Sequence, residues 1–423
     1  MFKILKEKIK TKTMANGMWL YLLQIFNTVI PLITLPYVTR ILGTTQYGVF
    51  SASFNIVGYL QVVVEYGFVM SATREVALLH TKEKINKLFS TILYSRSFLL
   101  ICCVIFSIIY LLMWHPNKVQ FLSYLLLMIM VLATVIQENW LFQGLEDMKY
   151  IAMANIIART ITMILIFGCV KGINDLLIYS FLYAISPLIS NIIGLGIVKV
   201  KYNIKFVKVK IVEIIDELKK GWYIFTTQFT AKVFGAIGIT FLTFYSSSST
   251  VGIFSAIQKI PNLMVLVWSP ISTILYPMVS KKMKISFVEG TNFVLHIRRK
   301  ILLLFLIPTI LFSILSHPIV KLAFGASYAD KSYWLIPLLM WLFVSIDNNF
   351  WGIQILLASG HDKEYSLCFM ISVIATIAFN YSFIRLWGGT GAAWAPFASE
   401  MLLDILLIWM VKKQINMYRK EKI

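Results

Sequence analysis

Charge is scarce in this chain and acid is scarcer still: 19 Asp and Glu stand against 39 Lys and Arg in 423 residues, and only 14% of the sequence is charged. A soluble domain of this size carries roughly a quarter charged residues, so an ordinary aqueous surface is excluded. Cysteine is limited to four residues, Cys102, Cys103, Cys169 and Cys368, all inside apolar segments. That excludes a disulfide framework, and these residues read as small apolar fillers. The five histidines, His80, His115, His296, His317 and His361, fall at segment ends or connectors and form no pair at metal spacing. There is no P-loop and no nucleophile elbow. The expectation is a non-enzyme with no catalytic residue, no metal and no cofactor, driven by a gradient or by downhill flow.

What fills the chain instead is apolar: 59% of residues are hydrophobic and the mean hydropathy is +0.78. This describes a polytopic membrane protein. The first apolar segment is too long for a signal peptide and lacks a small-residue cleavage pattern, so it is expected to remain as the first span. Segments of bilayer length lie at 16–38, 47–69, 89–113, 120–143, 151–170, 176–198, 221–245, 251–278, 300–317, 334–358, 365–386 and 391–411. Lipid-embedded backbone must satisfy its own polar groups, so the fold class is all-α, with about 12 transmembrane helices.

The chain repeats itself. Tyr47-Gly48-Val49-Phe50-Ser51-Ala52 returns as Val251-Gly252-Ile253-Phe254-Ser255-Ala256, an offset of 251 − 47 = 204 positions. His115-Pro116 returns as His317-Pro318, and Trp140-x-x-Gln143 as Trp351-x-x-Gln354. Two related halves are implied. The organisation read from this is a basic cytoplasmic tail at 1–14, a six-helix bundle at 15–198, a Lys-rich cytoplasmic linker at 199–220, a second six-helix bundle at 221–411 and a basic tail at 412–423. Six spans per half is an even number, so the bundles share one orientation and are expected to be related by a pseudo-twofold axis along the membrane normal. About 29 of the 39 Lys and Arg lie in alternate connectors and the termini, which places both termini in the cytoplasm and the basic rims near anionic membrane lipids. The same distribution argues against nucleic acid as a partner.

Helical spacing shows where the polar faces are. Ser51, Asn55, Gly58 and Glu65 form one stripe, and Ser255, Gln258, Lys259 and Asn262 another. At the repeat offset, Asn55 and Lys259 are equivalent: an amide in one half, a cation in the other. Gln24 and Asn27 join from the first span, Gln228 and Lys232 from the seventh, Asn155 and Arg159 from the fifth. The expectation is a central, positive cavity lined by Lys232 and Lys259, with Arg159 as a further candidate. For each of these cations, snorkelling or a structural ion pair is the other reading. Arg96, close to the cytoplasmic end of its span, is expected to snorkel. The acids Glu65, Glu138, Asp347, Glu400 and Asp404 lie within apolar spans and are candidates for ion coupling or for structural pairing.

One stretch carries a resemblance. Pro31-Leu-Ile-Thr-Leu-Pro36-Tyr-Val-Thr-Arg40-Ile-Leu-Gly43-Thr-Thr-Gln-Tyr47-Gly48, followed by Gly67-Phe68, Arg74-Glu75-Val-Ala and Trp140-Leu-Phe-Gln143-Gly144, resembles the Wzx-type O-antigen and polysaccharide flippases of the multidrug/oligosaccharidyl-lipid/polysaccharide exporter superfamily. The resemblance implies two six-helix bundles around a central cavity. It also implies a substrate, an undecaprenyl-pyrophosphate-linked oligosaccharide moved from the cytoplasmic to the periplasmic leaflet of the inner membrane. A multi-pass inner-membrane location, alternating access and exchange for H+ or Na+ go with that role, and a polysaccharide polymerase and a chain-length regulator are the protein partners expected of it. Lys232, Lys259 and Arg159 would hold the pyrophosphate, while Gln24, Asn27, Asn55, Gln228, Gln258 and Asn262 would meet the glycan. A cation-coupled multidrug exporter of the same superfamily is the alternative, distinguished by its need for an acidic cavity.

Overall fold

The computed structural model describes residues 2–79 and 81–420, with side chains from 14 to 79 and from 81 to 418. The basic side chains of 1–13 and 419–423, and His80, lie outside the described residues. Among the described residues there is no strand. The helices are α1 (Phe2–Glu65), α2 (Phe68–Leu78), α3 (Lys82–Trp114), α4 (Lys118–Leu127), α5 (Ile129–Val135), α6 (Asn139–Gly144), α7 (Lys149–Cys169), α8 (Leu176–Ile197), α9 (Ile211–Tyr245), α10 (Ser248–Ile257), α11 (Lys259–Ile285), α12 (Phe287–Ile314), α13 (Ser316–Phe324), α14 (Ala326–Ala329), α15 (Leu335–Asn349), α16 (Asp362–Trp387) and α17 (Gly389–Lys420). Eight described helices are long and apolar enough to cross a membrane, or nine counting the bent pair α12 and α13.

Local chemistry explains the joints. The first two expected spans are one helical run, and the connector expected at 39–46 shrinks to a single residue. Gly43, at φ 70 and ψ 178, takes a backbone conformation open only to glycine and breaks α1 there. Pro261 leaves the Ile257 carbonyl without its helical donor, and the eighth expected span accordingly divides at Gln258 into α10 and α11. Asn117 starts α4 by a capping box: its side chain accepts from Gln120 N at 2.9 Å, and its own N–H reaches Gln120 Oε1 at 3.2 Å.

The chain forms two compact units, Met1–Gly235 and Ala236–Ile423, divided within α9. In the first, the buried face of α1 carries Val38, Leu42, Phe50, Val57 and Leu60 and packs on α3, α4, α5, α7 and α8. Phe68, Phe89, Trp140 and Phe142 fill the space beneath α2 and α6. The opening turns of α9 lie on α1, with Phe225 stacked on Tyr66 at 4.6 Å and Phe229 beside Tyr59 at 6.2 Å. Arg96 corrects the snorkelling expectation. It is 0% exposed, because Phe89, Ile92, Arg96, Leu99 and Cys103 share the inward stripe of α3 and leave it no route to water.

The segment expected as a linker at 199–220 is part of this first unit. A π-helical turn, Val198–Tyr202, ends α8. Residues 203–210 then run along α3, where Lys205 N donates to Asn86 Oδ1 at 3.1 Å and Val207 N to Ser90 Oγ at 2.9 Å. The start of α9 is tied down by charge: Glu213 pairs with Lys87, and Lys220 meets Glu217 at 3.0 Å and Glu75 at 3.6 Å.

In the second unit, Trp268, Phe305 and Phe350 form the centre, with Trp268 edge-on to Phe305 at 6.0 Å and 5.3 Å from Phe350. The seam of α16 and α17 is built from small residues. Cys368, Ser372, Thr376 and Asn380 are buried on one side and Ala392, Ala393, Ala395 and Ser399 on the other. Small side chains let helices approach closely where no water drives them together. Opposite such seams, α12 presents Leu303, Leu304, Ile307, Ile310, Leu311 and Ile314 outward as one exposed apolar stripe, as a lipid-facing helix requires.

The Lys87 side chain, and then the Lys210 N–H, hold the Glu213 carboxyl below its ordinary range. A carboxyl whose folded value is depressed contributes stability above its unfolded value and loses it as pH falls through the folded one. Lys87→Gln is therefore expected to raise hydrogen exchange over 203–210 at neutral pH. The native chain should reach the variant's level only on acidification, with both followed by mass spectrometry.

Candidate functional site

Each unit gathers polar side chains around inward-turned cations, Arg96 buried and Lys232 and Arg298 half-buried. In the first, the Lys232 ammonium lies against Gly58, where a methyl group built on the glycine would stand 2.6 Å from Nζ, and sits 5.6 Å from the centre of the Tyr59 ring. Asn55, one turn earlier on α1, is buried. Thus Asn55, Gly58 and Lys232 are brought together, the glycine making room for the ammonium. Around α1's first half the expected groups are scattered: Gln24 is exposed, and Asn27 is half-buried with its Oδ1 lacking a partner among the described residues. Gln228 is half-buried on α9. Arg159 lies elsewhere, within electrostatic reach of Tyr183. That ring belongs to an aromatic group in which Phe50 is 4.6 Å from Tyr179 and 5.1 Å from Tyr183, and Phe54 is 5.3 Å from Tyr183.

The acids sort themselves around arginines. Glu65 and Glu138 both lie within electrostatic reach of Arg96. Glu65 also caps α2, accepting from Gly67 N and Val69 N at 3.0 Å each. Glu138, 3% exposed, packs where Gly194 of α8 leaves space, since any Cβ at 194 would collide with its Oε1. Arg96 donates through Nη1 to the Gln137 carbonyl and rests 5.6 Å from the Phe68 ring centre.

In the second unit the counterpart is Arg298 of α12, which grips both carboxylate oxygens of Asp347 on α15 and lies 4.9 Å over the Trp351 ring. Glu400 of α17 is buried and accepts from Asn348 Nδ2. Asp404, one turn further, is in electrostatic reach of Arg298, Asp347 and Glu400. Immediately after α15 the chain winds into a π-helical segment, Phe350–Leu356, where Gln354 Nε2 donates to the Ser272 carbonyl at 3.0 Å. Of the expected substrate groups in this unit, Gln258 sits half-buried at the α10–α11 joint, while Lys259 and Asn262 are exposed on the first turn of α11.

Sequence reasoning expected Arg96 to snorkel and did not single out Arg298. The missed signal is periodicity. Arg298 shares the stripe of Thr291, Val294, Phe305 and Thr309, all of them buried.

These features define a polytopic, all-helical membrane protein with the two-lobe fold of known exporters. The chain is similar in structure to "Lipid II flippase MurJ, inward closed conformation" (TM-score 0.74, 18% identity, 92% of this chain and 86% of that one). It is likewise similar to an inward-facing multidrug resistance MATE family transporter of the MOP superfamily (TM-score 0.69, 12% identity, 93% of this chain and 99% of that one). At the level of family, the chain belongs to the polysaccharide biosynthesis proteins, whose pattern its residues 13–283 match. Two proteins named "Putative O-antigen transporter" align along almost its whole length. One, from Escherichia coli (strain K12), is 27% identical over 95% of this chain and 97% of its own length. The other, from Shigella dysenteriae, is 25% identical over 95% and 99% respectively. The resemblance to Wzx-type flippases agrees with this family.

Removing one partner of a buried ion pair strands the other charge. Asp347→Leu is expected to destabilise the folded protein by about 3 kcal/mol, the low end for such pairs because the Arg298 side chain is 26% exposed. The double variant Arg298→Leu/Asp347→Leu should recover most of the loss in apparent melting temperature in detergent. A double variant no more stable than the single one would show that the pair is not what matters.

Proposed function

We propose that this protein is a flippase for undecaprenyl-pyrophosphate-linked oligosaccharide units, carrying them from the cytoplasmic to the periplasmic leaflet of the inner membrane for O-antigen or another surface polysaccharide. The observation that carries the reading is the Lys232 ammonium seated over Gly58 and Tyr59 beside buried Asn55, in a chain of the polysaccharide biosynthesis family. A pyrophosphate is a dense anion and its glycan is strongly hydrated. An ammonium offers charge-assisted hydrogen bonds to the first, and amides satisfy the hydroxyls of the second. Lys259, Gln258 and Asn262 supply the same chemistry in the second unit, and Arg159, Gln24, Asn27 and Gln228 are further contacts in the first. The lipid tail needs no protein pocket, since it stays in hydrocarbon throughout. With no nucleotide motif in the sequence, alternating access is driven by exchange for a cation, H+ or Na+, and the intramembrane acids are its carriers. Both termini are cytoplasmic in this reading.

The alternative, a cation-coupled multidrug exporter, draws on the likeness to a MATE transporter's fold. Sign of charge favours the flippase: a cation exporter gains nothing from Lys232 and Lys259 on its polar faces.

Deleting the gene is expected to accumulate lipid-linked repeat units on the cytoplasmic side of the membrane. Lys232→Ala and Gly58→Val should each abolish surface polysaccharide at normal protein abundance, the first by removing the ammonium and the second by displacing it. Full surface polysaccharide in both Lys232→Ala and Lys259→Ala would remove the cationic part of the proposal.

A further inference from the structure

Where α12, α15 and α17 meet in the second unit, one cation among the described residues, Arg298, faces three carboxylates, Asp347, Glu400 and Asp404. Arg298 and Asp347 neutralise each other through a two-pronged contact. That leaves Glu400 and Asp404, one turn apart on the same face of α17, with no ion pair among the described residues. The groups facing them are known element by element: Arg298 from α12, Asp347 from α15 and Tyr365 from α16. None adds a second positive charge. Glu400 is buried and Asp404 half-buried, so ionising both sets two negative charges one turn apart with one positive charge, already engaged by Asp347, to offset them.

The hydrogen bonds distinguish the two. Glu400 is held by donors, receiving Asn348 Nδ2 and contacts from the Trp341 and Ser345 side chains, and donors aimed at a carboxylate favour its charged form. Asp404 has no such support: its Oδ1 is buried without a partner among the described residues. A second observation points the same way. Asn348, 5% exposed, spends Nδ2 on Glu400 and is left with an Oδ1 that has no donor. Gln354, 0% exposed, is likewise left with an orphan Oε1 in the adjoining π-helical segment. The unpartnered oxygens of Asn348 and Asp404 describe a site short of a donor, and a proton on Asp404 would supply one. No group of three acidic, histidine or cysteine ligands among the described residues is placed to hold a metal ion.

We propose that Asp404 is a proton-binding residue, with Glu400 as its charged neighbour and the Arg298–Asp347 pair as a fixed counter-ion, and that the proton it takes and gives up is the ion exchanged during transport. This rests on the flippase reading for its use, but the site itself is testable without any cargo. Of the five intramembrane acids, it assigns the exchangeable proton to one. Glu65 and Asp347 are committed to a helix cap and to an arginine; Glu138, whose Oε2 is likewise without a partner among the described residues, has no second carboxylate one turn away as Asp404 has in Glu400.

The test is infrared difference spectroscopy of the purified full-length protein in lipid nanodiscs, stepped in pH. The native chain should show the C=O stretch of a protonated carboxyl that appears and disappears with pH. Asp404→Asn should lose that band, Asp404→Glu should keep it, and the exposed-site control Glu289→Gln should leave it untouched. An unchanged band in Asp404→Asn overturns the assignment. So does loss of the native band on adding Na+, but not K+, at constant pH, since the site would then belong to sodium. In a strain lacking the gene, the native chain and Asp404→Glu should restore surface polysaccharide, and Asp404→Asn, present in the membrane at normal level, should not. Full restoration by Asp404→Asn also overturns the proposal. If the native chain fails to restore surface polysaccharide while the band behaves as described, the flippase reading falls and the proton site stands.

Discussion

A charge inside these helices has to be answered from within the protein, because hydrocarbon offers neither counter-ions nor water. That single constraint organises both units. Each draws an arginine from its third long span and an acid from its fourth into the interior: Arg96 with Glu138 in one, Arg298 with Asp347 in the other. A tryptophan accompanies each, Trp140 two residues after Glu138 and Trp351 four residues after Asp347. The duplication seen as faint echoes of sequence thus reappears as a shared solution to one electrostatic problem. The two solutions differ in finish. Arg298 meets its carboxylate squarely, whereas Arg96 donates through Nη1 to a main-chain carbonyl, rests on an aromatic face, keeps two acids at a distance and leaves Nε and Nη2 without partners among the described residues.

Much of the architecture could be read before any coordinates were at hand, because bilayer thickness imposes a length on every apolar run and leaves few alternatives to helix. Joints were less legible. The sequence from Thr39 to Gln46, with Arg40, Gly43, Thr44, Thr45 and Gln46, reads as a loop, yet helix continues on both sides of Gly43 because only one residue has to abandon helical geometry. The Lys-rich stretch before α9 reads from composition as a linker between two bundles. It is instead bound to α3 through Asn86 and Ser90, whose side chains satisfy main-chain N–H groups that composition cannot reveal.

The site was legible in part. Residue type and helical face were enough to pick out Asn55 and Lys232, which the structure joins at Gly58, and to pick out Asp347, Glu400 and Asp404, which it gathers in one place. What linear reading lacked was depth. Arg298 sits beside Arg299 and Lys300, and three consecutive cations look like a membrane rim, but only Arg298 lies on the stripe that α12 turns inward. Counting which neighbours at three- and four-residue spacing are apolar separates a rim cation from one turned toward the core, even within a run of like charges.

The π-helical segment Phe350–Leu356 has an evolutionary side. Wide turns of this kind accommodate one residue more than an α-helix would, and such an extra residue is what a single-codon insertion leaves behind. Excising one codon there would let the segment relax to ordinary winding while the helix on either side keeps its register, and Asp347 would stay on Arg298. Relatives without the extra residue would be expected to present their acid in the same place at a number shifted by one, so alignments should be gapped at this turn before acidic residues are compared.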